Sequence, residues 1–226
     1  MRITVLGSGW YGTPLSLALL DLGHELVVTT RDLEKKRALE QKGLTTHLLT
    51  APEIPPSAII DSDLLILNTP PSAGGVNWFK SWPPTRARVI FISSTSGKQL
   101  ADEEWIKSTF KEWTILRFGG LLGEKRHPGK VLSGRENLPG RLWPVNLLHL
   151  EDAVGFTLKI IETGIKGEII QVVSEEHRSR EEFYQEYCLQ NQLPLPLFDQ
   201  NDQSKRSIID NERAKEIYQF KWPVKL

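Results

Sequence analysis

The chain has 226 residues, enough for one large α/β domain or for one such domain with a small additional lobe. Hydrophobic residues make up 39% and charged residues 25%, a composition typical of folded globular proteins and not of disordered ones. Lysine plus arginine equals aspartate plus glutamate at 28 each, so the net charge gives no reason to expect a nucleic-acid or membrane partner.

Hydropathy and cysteine content narrow the cellular setting. The longest apolar runs, such as residues 64–67, are far too short to span a bilayer, and the beginning of the chain lacks the pattern of a signal peptide. Cys188 is the single cysteine, which excludes an internal disulfide and a cysteine-based zinc cluster and favours a buried packing role. We therefore expect a cytoplasmic protein without a metal site.

Strand and helix patterns alternate over the first half of the chain. The predicted strands cover residues 2–6, 25–29, 45–49, 63–68, 88–93 and 113–118, and the predicted helices cover residues 13–22, 33–42 and 100–111. Gly23 and Gly43 end the first two helices, where a left-handed residue is common. We predict an α/β fold in which residues 1–118 form a Rossmann-type, doubly wound parallel sheet.

The second half is less regular. Residues 119–144 are rich in glycine, proline and basic residues and predict a long loop region. After it, the patterns predict extended segments at 145–149 and 168–173 and helices at 151–162, 181–192 and 211–218. We predict that residues 119–226 form a small C-terminal α+β lobe, interleaved with the Rossmann sheet, on the substrate side of its carboxyl edge.

The first strand runs into a segment that we call the glycine loop. It consists of Gly7, Ser8, Gly9, Trp10, Tyr11 and Gly12. A GxGxxG pattern alone is weak, but here it lies between a strand and an apolar helix, as in dinucleotide-binding βαβ units. The first glycine permits a tight turn, the second lets the backbone approach a pyrophosphate, and the third lets helix and strand pack closely. The loop therefore predicts a nicotinamide dinucleotide site with the phosphates at the helix N-terminus.

The end of the second strand bears on the choice between NADP and NAD. NAD-preferring sites usually place a carboxylate there, whereas this chain has Thr30 and Arg31 followed by Asp32. A guanidinium can bind the 2′-phosphate of NADP bidentately, and a carboxylate would repel it. We predict NADP as the cofactor. NAD is the alternative if Arg31 is merely solvated and Asp32 merely caps the following helix.

Two further strand ends are expected at the same edge of the sheet. Thr69 and Pro70 follow the strand at 63–68, and Ser93 lies at the end of the next strand. Because carboxyl ends of parallel strands meet at one edge, these residues are predicted to lie beside the nicotinamide half of the dinucleotide. The prolines at this point could equally serve only to end a strand.

Several motifs carry a family resemblance. They are the glycine loop, IFISSTSG from Ile90, ILRFGGLLG from Ile115, PVNLLHLEDAVG from Pro144 and SKRSIIDNERAKEI from Ser204. In this order they resemble the extended short-chain dehydrogenase/reductases, the NAD-dependent epimerase/dehydratase group. GWYGTPL from Gly9 and RHPG from Arg126 are similar to an atypical, YeeZ-like subgroup. The resemblance covers essentially the whole chain and implies a Rossmann-type fold and a nicotinamide cofactor.

The resemblance also implies catalytic residues, with one departure. Ser94 matches the position of the family's catalytic hydroxyl, and Thr95 lies beside it. Active members carry a Tyr-x-x-x-Lys helix after this strand, in which the tyrosine exchanges the substrate proton. The 17 residues between Gly97 and Ile115 contain no tyrosine. The proton relay of the family is therefore predicted to be lost. Because the helix that would carry the tyrosine is shortened, half of the usual dimer interface is predicted to be lost as well.

Two histidines are the remaining candidates for an acid or base near neutral pH. His127 lies in a basic segment with Lys125, Arg126 and Lys130 and is our candidate catalytic residue besides Ser94 and Thr95. The basic segment could bind an anionic substrate group or simply be a solvated edge. His149 matches a family histidine that is usually structural.

These observations leave two functions open. One is an NADP-dependent oxidoreductase or epimerase acting on a small polar, anionic or sugar-like substrate. The other is a catalytically inactive dinucleotide-binding protein, such as a redox sensor or a regulatory protein. We expect no nucleic-acid or membrane partner, and either a monomer or a dimer that does not use the usual family helix interface.

Overall fold

A computed structural model of the chain describes residues 1–49, 55–69, 76–83, 85–123 and 126–219, without the side chains of Trp78 and Ser81. The strands are β1 (Arg2–Leu6), β2 (Glu25–Thr30), β3 (Thr45–Leu48), β4 (Leu64–Leu67), β5 (Arg88–Ser94), β6 (Trp113–Phe118), β7 (Gly120–Leu122), β8 (Leu147–His149) and β9 (Glu168–Val172). The helices are α1 (Gly12–Asp21), α2 (Leu33–Glu40), α3 (Ser57–Ile60), α4 (Leu100–Thr109), α5 (Pro128–Leu132), α6 (Leu150–Thr163), α7 (Arg180–Gln190) and α8 (Glu212–Ile217), and Asn77–Ser81 forms a 3-10 helix.

The main sheet has the order β3-β2-β1-β4-β5-β6-β9. Its register is parallel from β3 to β2, β1, β4 and β5. The direction in which the chain adds strands reverses between β1 and β4, and ligands of open α/β sheets bind at the carboxyl ends of strands beside such a reversal. The predicted Rossmann-type α/β fold is confirmed.

Buried apolar patterns explain the central elements. All residues of β4 are buried, as expected for a parallel strand covered on both faces. In α1 the buried Leu15 and Leu19 lie one helical turn apart and face the core. Gly23 follows this helix with a φ of +78°, and its N–H donates to the carbonyl of Leu20. The end of α1 therefore has the left-handed residue that the sequence predicted.

Helix α4 covers one face of the sheet beside β5 and β6. Its Ile106 belongs to a buried apolar cluster with Phe91 of β5 and Ile115 of β6. Trp105 and Phe110 pack at the border of this cluster with a ring-centroid distance of 5.6 Å. The apolar face of α4 is therefore sufficient to fix the helix on the sheet, since each buried side chain of this size contributes about 2 kcal/mol.

The sheet extends beyond the segment from which the sequence predicted it. Residues 1–118 supply six strands, and β9 supplies the seventh at the edge next to β6. The N–H of Gly167 donates to the carbonyl of Trp113, and Arg88 and Thr114 donate side-chain hydrogen bonds to the carbonyl of Ile165. The pairing of β9 with β6 is a long-range contact that no local pattern encodes, and the predicted division of the chain at residue 118 stays a prediction.

The chain divides into two compact units. The first comprises Met1–Arg117 and Thr157–Ile170, and the second comprises Phe118–Phe156 and the chain from Gln171 onward. The second unit contains the two-stranded parallel sheet β7-β8 and a core that includes Leu122, Leu147 and Phe183. Cys188 is buried as predicted.

The segment 119–144 contains more regular structure than the predicted loop. Strand β7 and the short helix α5 both lie within it. β7 contains glycine and only three residues, and α5 only five, so neither is long enough to give a periodic pattern. None of the helices in the described part of the chain is long and apolar enough to cross a membrane.

Candidate functional site

A pocket of about 500 Å³ opens at the carboxyl ends of β1, β2 and β4. Its lining combines glycine backbone, hydroxyl groups, one amide, two cations, one carboxylate and one apolar side chain. The lining residues are Gly7, Ser8, Gly9, Thr29, Thr30, Arg31, Asp32, Lys35, Leu49, Asn68 and Thr69. The pocket therefore lies at the edge of the sheet that the sequence predicted, and it contains most of the predicted cofactor contacts.

The three glycines of the loop differ in what surrounds them. Gly7 has a φ of +104°, and a Cβ there would lie 2.5 Å from the carbonyl oxygen of Asn68. A Cβ on Gly12 would lie 2.1 Å from the carbonyl oxygen of Gly7. A Cβ on Gly9 would meet nothing within 4 Å. Gly7 and Gly12 are thus required by packing, whereas Gly9 borders open space that a ligand can occupy.

Side chains from neighbouring strands hold the loop in place. The N–H of Gly7 donates to Thr29 Oγ1 at 3.1 Å, and the N–H of Ser8 donates to the Thr29 carbonyl at 3.0 Å. Asn68 Nδ2 donates to the Gly7 carbonyl at 3.0 Å, and Thr13 Oγ1 donates to the Ser8 carbonyl at 2.9 Å. Sequence reasoning did not identify Asn68 and Thr29 as site residues, because their role depends on the order of β2, β1 and β4.

Helix α1 begins at this loop. It has no side-chain cap at its N-terminus. The N-terminal end of a helix carries a partial positive charge and backbone N–H groups that suit a phosphate. Trp10 is half-buried, whereas the Tyr11 ring is buried and its hydroxyl is hydrogen-bonded to Thr157 Oγ1 at 2.6 Å. Burial raises the pKa of the Tyr11 hydroxyl well above its ordinary value, so this tyrosine stays protonated near neutral pH.

The end of β2 provides the cations of the pocket. Asp32 Oδ1 accepts a hydrogen bond from the Lys35 N–H at 3.0 Å and caps α2, and the Asp32 N–H donates to Thr30 Oγ1. The carboxylate is thus engaged as a helix cap. Arg31 is exposed and lines the pocket together with the half-buried Lys35, which sequence reasoning missed. Lys35 lies in the first turn of α2, four residues after Arg31. This spacing could have predicted that its side chain lies near the end of β2.

The ends of β4 and β5 hold the remaining predicted residues of this unit. Thr69 is buried and lines the pocket, and Pro70 lies outside the described residues. Ser93 is buried, and its hydroxyl donates to Glu103 Oε1 at 2.6 Å. Ser94 and Thr95 are half-buried. The Ser93 hydroxyl is therefore directed at a carboxylate of α4, and its predicted contact with a cofactor stays a prediction.

The two candidate histidines lie in the second unit. His127 is 7% exposed; its Nδ1 accepts a hydrogen bond from the Gly129 N–H at 3.0 Å and thereby caps α5. Its ring stacks on Tyr187 with a centroid distance of 3.6 Å. Burial lowers the pKa of His127 to about 4. The contacts of His127 are those of a neutral cap and packing residue, and its catalytic role stays a prediction. His149 Nδ1 accepts a hydrogen bond from the Glu151 N–H at 3.3 Å, as expected for a structural histidine.

The structure describes part of the predicted basic segment. Lys125 lies outside the described residues, while Arg126 and Lys130 are exposed. Arg141 forms an ion pair with Glu181 at 3.1 Å. Among the described residues, no group of three or more histidine, cysteine or acidic side chains could hold a metal ion.

The sequence of this chain is similar to that of a known protein. No protein-family model matches the chain. Protein YeeZ of Escherichia coli strain K12 is 26% identical over an alignment of 265 residues, which covers 98% of this chain and 96% of YeeZ. The chain is a homologue of YeeZ. The resemblance that the motifs predicted is confirmed over nearly the full length of both proteins.

Solved structures share the fold. A short-chain dehydrogenase/reductase superfamily protein from Agrobacterium tumefaciens, solved with bound NAD, has a TM-score of 0.70 at 13% identity, over 96% of this chain and 91% of that one. The UDP-glucose 4-epimerase of Thermotoga maritima, solved with UDP-glucose, has a TM-score of 0.67 at 11% identity, over 96% and 92%. Proteins of this fold therefore include NAD-binding dehydrogenases/reductases and sugar-nucleotide epimerases.

We predict that His127 makes stability depend on pH. The folded pKa of about 4 lies below the ordinary value of 6.5, so the unfolded chain binds a proton in this range that the folded chain excludes. The free energy of unfolding should therefore be lost as the pH falls from 6.5 to 4, by up to about 3 kcal/mol at roughly 1.4 kcal/mol per pKa unit. Urea denaturation between pH 4 and pH 7 measures this loss.

His127→Asn is the matched variant for this measurement. Asparagine caps a helix N-terminus as well as any residue but does not titrate in this range. The variant should be less stable at pH 7 because it lacks the stacked ring, and its stability should fall less steeply between pH 6.5 and 4. Parallel curves for the variant and the wild type would contradict the assignment.

Proposed function

We propose that this protein binds a nicotinamide dinucleotide in the pocket at the ends of β1, β2 and β4, with NADP preferred over NAD. We further propose that it is an oxidoreductase or epimerase of the short-chain dehydrogenase/reductase type that acts on a small polar substrate. The observation that carries the proposal is the open space at Gly9 in a pocket of about 500 Å³, beside the uncapped start of α1. Backbone without a side chain at this point lets a pyrophosphate come close.

The residues present fit such a cofactor. The glycine loop and the N-terminus of α1 would hold the pyrophosphate, and Thr69 with the turn after β5 would face the nicotinamide half. When bound, the nicotinamide supplies hydride transfer chemistry. The protein contributes binding and orientation, and Ser94 and Thr95 contribute hydroxyls that can donate a hydrogen bond to a substrate carbonyl.

The preference for NADP rests on charge. Arg31 and Lys35 both line the pocket, and Asp32 is engaged as the cap of α2. Two cations at the end of β2 favour a 2′-phosphate, which a guanidinium can bind bidentately. The Agrobacterium tumefaciens protein was solved with NAD, so this preference is proposed for the present chain alone.

A sugar-like or anionic substrate is proposed for the enzyme. The Thermotoga maritima epimerase was solved with UDP-glucose, which combines both chemical features. For the quaternary structure we keep the proposal of a monomer, or of a dimer that does not use the family helix interface. We also propose that residues 1–118 form the dinucleotide-binding domain and that residues 119–226 form the substrate-side lobe.

One observation favours the second candidate function, a dinucleotide-binding sensor without catalysis. The described lining of the pocket contains no histidine, cysteine, tyrosine or glutamate, and its one carboxylate, Asp32, caps α2 at the β2 end, away from the ends of β4 and β5. A hydroxyl alone does not exchange a proton readily near neutral pH, so catalysis would need an acid or base from elsewhere.

Gly9→Asp should abolish dinucleotide binding and leave the fold intact. The new Cβ meets nothing within 4 Å, so the free energy of unfolding should change by less than about 1 kcal/mol. The carboxylate would repel the pyrophosphate, and the affinity for NADPH should fall at least about 100-fold. Fluorescence titration with NADPH and thermal denaturation measure the two effects.

Two controls accompany this variant. Gly9→Asn adds the same volume without charge and should weaken binding less. Gly12→Ala should destabilise the fold by more than about 2 kcal/mol, because its Cβ would lie 2.1 Å from the Gly7 carbonyl oxygen. Failure of the wild type to bind NADPH or NADH at millimolar concentration would refute the proposed function.

Arg31→Ala should lower the affinity for NADPH about tenfold and change the affinity for NADH by less than about twofold. The reason is that the lost charge-assisted hydrogen bond is made only to the 2′-phosphate. Lys35→Ala should act in the same direction with a smaller effect. Arg37→Ala removes an exposed arginine of the same helix outside the pocket and is the matched control. An equal loss for both dinucleotides in Arg31→Ala would disprove the NADP preference.

Ser94→Ala separates the two candidate functions. If the protein is an enzyme, a panel of carbonyl substrates with NADPH should reveal turnover, and the variant should lower kcat at least about tenfold through loss of a hydroxyl donor. NADPH binding should fall by no more than about threefold, since only one of the two hydroxyls of the turn is lost. Tight binding by the wild type without turnover on any panel member would favour the sensor.

A further inference from the structure

A buried ion pair lies beside the turn that carries the candidate catalytic hydroxyls. Glu103 on α4 is 2% exposed and accepts hydrogen bonds from the Arg117 side chain on β6. Arg117 Nε lies 2.9 Å from Oε1 and 3.1 Å from Oε2, and Arg117 Nη2 lies 2.6 Å from Oε2. Ser93 on β5 is 4% exposed and donates to Oε1 at 2.6 Å. We call these three residues the Glu103 cluster.

The bonding of the cluster fixes its geometry. A carboxylate buried without partners costs several kcal/mol, and it is tolerated here because a bidentate guanidinium and a hydroxyl satisfy both oxygens. The Glu103 side chain therefore has one arrangement in which all of these hydrogen bonds form. The cluster joins the carboxyl ends of β5 and β6 to the first turn of α4, directly above the apolar contacts of Ile106.

The turn between β5 and α4 is tied to Glu103 at both ends. At its start, Ser93 is bound through its hydroxyl, and at its end the Glu103 N–H donates to the Gln99 carbonyl at 2.9 Å. Within the turn, the Ser96 N–H donates to Ser94 Oγ at 3.2 Å, and Gly97 has a φ of +72°. Ser94 and Thr95 lie between these anchors, and the Glu103 carboxylate holds the anchor at the Ser93 end.

We propose that Glu103 and Arg117 are positioning residues, which hold the Ser94 and Thr95 hydroxyls toward the nicotinamide end of the dinucleotide. This inference rests on the proposed function. In the sheet order, β4 separates β5 from β1 and β2, whose ends provide the glycine loop and Arg31. Loss of the cluster should accordingly weaken contacts at the nicotinamide end and leave the contacts of the ADP end in place.

Two ligands distinguish these ends. NADPH carries the nicotinamide, whereas 2′-phospho-ADP-ribose is the same molecule without it. In Glu103→Gln, which loses the charge but keeps the side-chain volume, the affinity for NADPH should fall about tenfold and that for 2′-phospho-ADP-ribose by less than about twofold. Glu104→Gln is the matched control, because Glu104 is its exposed neighbour on α4, forms an ion pair with Lys107, and should change neither affinity.

A milder variant covers the case in which Glu103→Gln does not fold. Ser93→Ala removes one bond of the cluster and leaves the Glu103–Arg117 pair intact, and it should reduce NADPH affinity about threefold with 2′-phospho-ADP-ribose unchanged. Hydrogen exchange of the Ser96 and Gly97 amides should be faster in Ser93→Ala than in the wild type, and as slow as the wild type in Glu104→Gln.

The outcomes separate this inference from the proposed function. Wild-type protein that binds neither ligand overturns both. If the wild type binds both ligands, the affinities of the folded Glu103→Gln or Ser93→Ala variant decide. A variant that loses affinity for both ligands equally, or for neither, overturns the positioning role alone. Selective loss of NADPH with faster exchange in the turn supports it.

Discussion

The candidate site depends on the close approach of three backbone segments at the carboxyl end of β1. The start of α1 reaches the Gly7 carbonyl so closely that a methyl group on Gly12 would overlap its oxygen, and the amide of Asn68 binds the same carbonyl. These contacts lock β1, α1 and the end of β4 to each other. The loop is held by contacts at Gly7 and Gly12, whereas Gly9 has no neighbour within 4 Å of a Cβ position. The pocket opens at Gly9.

The charged groups of the pocket are unevenly distributed along it. Positive groups stand at its β2 end, where Arg31 and Lys35 lie, while the ends of β4 and β5 present hydroxyls. The nearby carboxylates are engaged, since Asp32 caps α2 and Glu103 binds Arg117. A phosphate-bearing ligand would therefore orient itself with its most charged end toward β2, before any contact with a substrate is made.

What the sequence could predict was set by the range of each interaction. The glycine motif was recognisable from its local spacing, and the Asp32 cap and the left-handed Gly23 depend on neighbours within a few residues; all three are present. Asn68 and the Glu103–Arg117 pair depend on which strands lie side by side, and no local pattern encodes that. Part of the site could still have been inferred, because Lys35 lies in the first turn of α2, four residues after Arg31 at the end of β2.

The origin of β9 has a consequence for folding. The seventh strand comes from residues 168–172, so during synthesis β6 has an unpaired edge until some fifty further residues have left the ribosome. An exposed parallel edge is prone to wrong pairing, and contacts between distant segments form slowly. The sheet therefore cannot be completed before residues 168–172 are available, and until then the edge of β6 has no partner strand from this chain.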